Sequence, residues 1–426
     1  MNRPVTALAL IAAGLIPALH AEDAIKASLT GVIQIRGEYA NSTIDTGAGA
    51  TSGPYSPAEG TLGKTDHFDF YLRRARLGAK FESASKQWSG SFILRADRAD
   101  QVNATTSTAA SRTPVLHQCF VSRNFQNSEG TMKYMIQAGL DYAFFNRADM
   151  GPSGCALLPN QRATHSMAAQ RGTGIAFRTA SKEVKFGVDI QNNAGDSAPS
   201  SKTEREGLWY STRIELSPPE STNWNIDKFQ ETWAGAEGQG VLLGVELGYN
   251  QKDYTAAANA PANGAPSAGD TLTDTVVLGG ELLFRWNGLV ALAEARWQRM
   301  FVHTNWTTGP LGGQNTNSDA SAAIYIVQVG YAMPSDFLSE GSSSEVAVRW
   351  TYRDANREVR AENVGFGAQD YGNSGYMYEL GLTYYDLLDM AKDGKGNKTG
   401  IVYTNWHGEA GSSKAHIFRI QHQVSF

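Results

Sequence analysis

Residues 29–39 read Leu-Thr-Gly-Val-Ile-Gln-Ile-Arg-Gly-Glu-Tyr, so that Leu29, Gly31, Ile33, Ile35, Gly37 and Tyr39 alternate with Thr30, Gln34, Arg36 and Glu38. Successive side chains of a strand point to opposite faces, so this pattern builds one strand with an apolar side and a polar, charged side. The pattern recurs. Val184, Phe186, Val188 and Ile190 interleave with Lys185, Asp189 and Gln191, and Leu208, Tyr210, Thr212, Ile214 and Leu216 with Trp209, Ser211, Arg213 and Glu215. Val346, Val348, Trp350 and Tyr352 alternate with Arg349, Thr351 and Arg353.

Marking every such segment predicts about sixteen strands, the kind of even number found in closed transmembrane barrels. They begin near Lys26, Phe68, Trp88, Val115, Met132, Thr173, Val184, Leu208, Val241, Thr275, Leu289, Ile324, Val346, Tyr376, Ile401 and Ala415, and the segments at Val115 and Ile401 are the weakest. Long connections rich in Gly, Ser, Thr, Asn and Ala, such as 41–67, 99–113, 143–171 and 251–272, alternate with tight ones such as 83–87, 180–183 and 287–288. Long external loops and short turns on the other side produce that rhythm. Connections 217–240 and 332–344 break it, each marking a missed element or an elaboration of the short-turn end. Tyr39, Trp88, Tyr134, Trp286, Trp297, Tyr331, Trp350, Tyr384 and Phe426 fall near strand ends, where amphipathic rings favour a bilayer interface. A soluble β-sandwich is the competing architecture, and it does not call for the same alternation over so many segments.

The composition agrees. In 426 residues there are 44 Gly, 14 Pro and 19% charged residues, with 41% hydrophobic side chains, too much apolar material for a disordered chain. Past residue 21 no window approaches the roughly 18 consecutive apolar residues of a spanning helix. Residues 1–21 read as a leader, with Arg3, an apolar stretch from Val5 to Leu19 and a Leu-His-Ala cleavage site, which leaves residues 22–426 as one exported barrel domain. The net charge of −5 gives no general case for nucleic acid. Cys119 and Cys155 either pair or stand as two unrelated thiols.

The chain ends Ala-His-Ile-Phe-Arg-Ile-Gln-His-Gln-Val-Ser-Phe426, with Phe418, Ile420, His422, Val424 and Phe426 on one face. This resembles the terminal strand of outer-membrane barrels, which implies that Phe426 is the signal read by the barrel assembly machinery, and a setting in outer-membrane lipid. FYLRRARLGAKF (70–81), WSGSFILRAD (88–97), LHQCFVSRNF (116–125), MIQAGLDYAFFNRAD (135–149) and RGTGIAF (171–177) are similar to the phosphate-selective porin O and P family. The resemblance is moderately specific over 68–193. It implies sixteen strands, a homotrimer, and a third long loop, residues 143–170, folded into the pore as its constriction. On that mapping the loop offers Arg147, Arg162 and His165 as donors and contains no Lys.

Taking the polar face of each strand as inward places fourteen basic groups in the lumen: Arg36, Arg74, Arg76, Lys80, Arg95, Lys133, Arg178, Lys185, Arg213, Arg285, Arg296, Arg349, Arg353 and Arg419. Ten acids oppose them, among them Glu38, Asp97, Asp141, Asp189, Glu215, Glu246, Glu281, Glu294 and Glu379. Arginine's planar fork suits phosphate and carboxylate oxygens. The counts are compatible with a modest anion preference and equally with a mixed lumen of opposed stripes. Arg74 and Arg76 share a face about 7 Å apart; Arg73 is expected to point outward, to a headgroup, a neighbouring subunit or the strand end.

Catalytic patterns are sparse. No His-Glu-x-x-His or Gly-x-Ser-x-Gly occurs, Gly394-Lys-Gly-Asn-Lys-Thr399 reads as a polar turn, and in a possible His117, Ser122, Asn124 set the first and last have opposite strand parity. The reading is therefore a porin without a cofactor, passing small hydrophilic solutes and ions. The alternative is a plugged structural or adhesive barrel acting through its external loops.

Overall fold

A computed structural model of the chain describes residues 24–42, 67–97, 114–145, 147, 157–159, 171–192, 208–218, 231, 239–255, 271–303, 320–334, 336–355, 375–386, 396–408 and 414–426. The leader, Cys155, Arg162 and His165 lie outside them. The described residues form one closed antiparallel barrel of sixteen strands. These are β1 (Ile25–Ser42), β2 (His67–Ser83), β3 (Trp88–Arg95), β4 (Val115–Gln126), β5 (Lys133–Tyr142), β6 (Arg171–Ala180), β7 (Val184–Asn192) and β8 (Leu208–Leu216). The ring continues through β9 (Gly240–Thr255), β10 (Thr271–Trp286), β11 (Leu289–His303), β12 (Ala320–Ala332), β13 (Ser342–Ala355), β14 (Gly375–Asp386), β15 (Gly396–Gly408) and β16 (Lys414–Ser425).

Each strand pairs with its sequence neighbours, and β16 closes the ring on β1 with Val32 opposite Ser425 and Ser42 opposite Ala415. Phe426 completes the seam. Its backbone N–H donates to Gly31 O at 3.1 Å and the Gly31 N–H donates to Phe426 O at 2.9 Å. The Gly31 face is open to the Phe426 ring: a Cβ there would meet the ring at 2.6 Å.

The two faces are inverted relative to a soluble domain. Outside lie Leu29, Ile33, Ile35, Phe70, Leu77, Val245, Tyr378 and Phe418, all exposed, while Arg36, Glu38, Asp189, Arg213, Glu246, Arg285 and Arg419 are buried inside. A closed ladder satisfies every backbone group of its paired segments internally, which is what a lipid setting demands. Tyr39, Trp286, Trp297, Tyr331 and Phe426 are exposed on the outer wall, as expected of interface rings.

The weak segments at Val115 and Ile401 are real strands, β4 and β15. Asn287 and Gly288 form a two-residue hairpin turn with φ of +46° and +85°, the left-handed pair that matches strand twist. Gly396–Thr399 corrects the expectation of a polar turn: these residues begin β15, and Lys398 is buried with its ammonium 5.9 Å from the Tyr385 ring centre. The connection between β12 and β13 is a hydrogen-bonded turn, in which Asp336 N–H donates to Ser342 O and Gly341 N–H to Asp336 Oδ1.

Two bulges redirect side chains. On β2 the register passes from Gln34 opposite Arg74 to Ile35 opposite Leu72, leaving Arg73 as the extra residue. Arg73 and Arg74 therefore both turn inward, and Arg73 Nη1 donates to Gln34 Oε1 at 2.9 Å. This overturns the outward reading of Arg73, which rested on unbroken alternation. On β4 the register passes from Ile93 opposite Gln118 to Leu94 opposite Leu116, and His117 is the extra, buried residue.

Candidate functional site: a folded-in loop facing an arginine wall

The third long loop leaves β5 and turns into the barrel at once. Phe144 N–H donates to Asp189 Oδ2 at 3.0 Å, and the ring sits over Gly187, where a Cβ would lie 2.4 Å from Phe144 Cδ1. Arg178 and Lys185 stack their cations over that ring at 5.6 and 5.2 Å from its centre. Phe145 packs edge-on against Trp209 with ring centres 5.3 Å apart, and both rings cover Gly248.

Farther along, Leu157, Leu158 and Pro159 lie on the far side of the ring of strands. They cover Gly330 on β12, Gly381 on β14 and Gly400 on β15 in turn. β14 is eight places from β6, halfway round the barrel. Thr383 Oγ1 donates to Leu157 O at 3.1 Å, and Arg36 Nη2 donates to Pro159 O at 3.0 Å. The loop is thus pinned at its root and again, on another part of the inner wall, at Leu157–Pro159. One further segment reaches inside: Gln328 Nε2 of β12 donates at 3.2 Å to Glu231, a residue of the long β8–β9 connection. Most of the rest of that connection, out of step with the expected short turns, lies outside the described residues.

Beneath the loop root lies a compact ion-pair network. Arg213 contacts Glu215 at 2.9 Å, Glu246 at 2.5 Å and Glu281, and its Nη1 donates to Phe145 O at 3.0 Å. Arg296 shares Glu246, contacts Glu294 at 3.4 Å, and lies 5.3 Å from the Phe145 ring centre. Arg147 reaches Glu215 at 3.3 Å. On other walls Arg349 pairs with Glu379, and Arg419 with Glu38 at 2.5 Å.

A different arrangement occupies β2 to β6. Arg76 forks onto Asp97, with Nε 3.0 Å from Oδ2, and its Nη1 faces His117 Nε2 at 2.9 Å. Arg171 donates to His117 O at 2.9 Å, contacts His117 Nδ1 and lies over the Tyr142 ring at 5.4 Å. Arg74 and Arg95 are within electrostatic reach of His117, and Arg74 also of Arg73, Asp97 and Tyr142. Four guanidinium groups thus gather around one imidazole, one phenol and Asp97, with a fifth, Arg73, beside Arg74. A neutral imidazole accepts at one nitrogen only, so His117 cannot serve Arg76 and Arg171 together through its ring.

The candidate residues read from the sequence divide accordingly. Arg74, Arg76 and Arg95 belong to the wall of guanidinium groups, and Arg178 is held near it by Tyr142 O at 3.1 Å and Asp189 at 3.4 Å. Arg36, Arg213, Arg296 and Arg349 face inward but are buried, committed to the loop or to carboxylates. Lys133 is exposed at the short-turn end of β5, and Arg353 is half-buried near the long-loop end of β13. The sequence reading gave Arg73 and His117, which sit on bulges, other roles, and did not single out Arg171 and Tyr142, which sit where β6 and β5 meet the loop.

His117, Ser122 and Asn124 do share the inner face once the bulge is counted, correcting the parity argument, yet each is engaged elsewhere. Ser122 donates to Gln137 at 3.4 Å and Asn124 to Ser89 Oγ at 3.1 Å. Cys119 is a free thiol on the outer wall.

Solved structures share this architecture. The outer membrane channel DcaP of Acinetobacter baumannii superposes with a TM-score of 0.50 at 12% identity, covering 94% of this chain and 97% of its own. An anion-selective porin from Comamonas acidovorans gives 0.51 at 11% identity, over 95% and 100% of the two chains. OmpT, an outer membrane protein of Vibrio cholerae in its trimer form, gives 0.52 at 8%, over the same shares. The chain has the porin fold. No protein-family model matches it, and no curated protein does. At these identities the likeness speaks for the fold alone, so the chemistry of the lumen has to be read from this chain's own porin wall.

Proposed function

We propose that this chain is a bacterial outer-membrane porin, exported by its leader and forming a water-filled channel for passive diffusion of small hydrophilic solutes and ions, with a preference for anions. The observation that carries the reading is the gathering of Arg73, Arg74, Arg76, Arg95 and Arg171 on β2, β3 and β6, with Asp97 the carboxylate held among them. The buried loop segment Leu157–Pro159 packs instead on β12, β14 and β15, the last of them three places round the ring from β2. Among the described residues Arg213, Arg296, Arg349 and Arg419 are each paired with glutamate, so the local excess of positive charge falls on the β2–β6 wall. Rings and walls of charge at close quarters bias which ions pass.

An oxyanion entering among Arg76, Arg171 and Tyr142 would meet two guanidinium groups, whose charge-assisted hydrogen bonds to an anion are the strong ones. That geometry supports the finer assignment to channels of the phosphate-selective porin O and P type, since FYLRRARLGAKF supplies three of the five arginines. A homotrimer is proposed by analogy with OmpT, and recognition of Phe426 by the assembly machinery is proposed from its place at the barrel seam. The test is substitution on the wall. Replacing Arg74 and Arg76 together by Ala should move the reversal potential in a salt gradient toward cations; an unchanged potential would take these side chains off the permeation path.

A further inference from the structure

Inward-facing glycines are unusual choices on a charged lumen wall, and three of them, on β12, β14 and β15, are occupied by Leu157–Pro159. A Cβ on Gly330 would lie 2.3 Å from Leu157 Cδ2, one on Gly381 2.4 Å from Leu158 Cδ2, and one on Gly400 2.4 Å from Pro159 Cγ. Three consecutive loop residues thus meet glycines on three different strands. Leu157 and Leu158 are each only 1% exposed, against a wall that otherwise presents Gln328, Arg349 and Glu379. None of the three glycines has a positive φ, so backbone conformation does not explain their presence. The missing side chain is what they contribute.

We propose that Gly330, Gly381 and Gly400 are sockets that fix the position of the constriction loop, and so set the width of the pore. The loop segment is held by shape: apolar pegs fill spaces in which any larger residue would stand. Arg36 and Thr383 add hydrogen bonds to the peg backbone, but carbonyl acceptors do not choose a depth along the wall as three adjacent sockets do. Filling a socket pushes the segment off β12–β15 toward the middle of the lumen. These glycines are positioning residues, acting on permeation only through the loop.

The test fills a socket and then shortens its peg. Gly381→Leu should lower single-channel conductance and introduce closures, and should lower the thermal unfolding midpoint of the refolded barrel. Leu158→Ala combined with Gly381→Leu should recover both. Leu158→Trp, which leaves every strand unchanged, should reproduce the conductance loss if Gly381→Leu prevents assembly. Parental conductance in folded Gly381→Leu or Leu158→Trp, or a double variant that recovers nothing, would overturn the proposal. The electrical readout rests on the channel reading. Should the parent protein form no channels, that reading fails by itself, while recovery of the midpoint in the double variant still decides the socket.

Discussion

At the scale of single residues, the interior arginines fall into two kinds that sequence alone does not separate. Arg213 is buried among Glu215, Glu246 and Glu281 and donates to Phe145 O, so it joins the wall to the loop root. Removing one member of such a buried set leaves charges without compensation and typically costs about 3–5 kcal/mol. Arg213→Ala should therefore destabilise the barrel by about 3 kcal/mol or more, measured by urea unfolding in lipid vesicles, whereas a loss under about 0.5 kcal/mol, the range of an ordinary surface change, would mean that the network is not structural. Alternation correctly put Arg213 and Arg76 inside; it had no means of telling that one meets three carboxylates across strands and the other meets Asp97 beside a cluster of guanidinium groups. That distinction depends on cross-strand register, which period-two patterning leaves open.

At the scale of elements, strand existence was legible and strand irregularity was not. Fifteen of the sixteen starting points fall within four residues of the observed strand, and β15 begins five residues earlier than its apolar core suggested. The bulges at Arg73 and His117 were invisible because a bulge adds one residue without disturbing the apolar pattern on either side. The RRAR segment was read as alternating when it holds two inward arginines in succession. A deletion series tests this directly. Deleting Arg73 removes the extra residue, leaving Leu72 and Ala75 outward and Arg74 and Arg76 inward, so the barrel should assemble and show the heat-dependent gel shift of a folded barrel. Deleting Ala79 instead would turn Lys80 to lipid and Phe81 to the lumen, and assembly should fail. Equal assembly of the two deletions would contradict the bulge. The infolded loop came only from resemblance. Its anchoring glycines lie on β12, β14 and β15, far along the chain, where no local pattern links them to Leu157–Pro159.

For the whole molecule, an apolar exterior, a polar interior and a closed ladder require a membrane, and among the described residues the β12–β15 side of the interior holds Leu157–Pro159 while the β2–β6 side holds the gathered arginines. Whether that second side conducts is the central claim. The most direct test is the single-channel conductance and reversal potential of the purified, folded protein in a planar bilayer under a KCl gradient. The account predicts open channels whose reversal potential has the sign of an anion-preferring pore, moving toward cations when Arg74 and Arg76 are both replaced. Folded protein that forms no channels would contradict it and make the chain a plugged barrel working through its external loops, and channels that prefer cations would contradict the role given to the arginine wall.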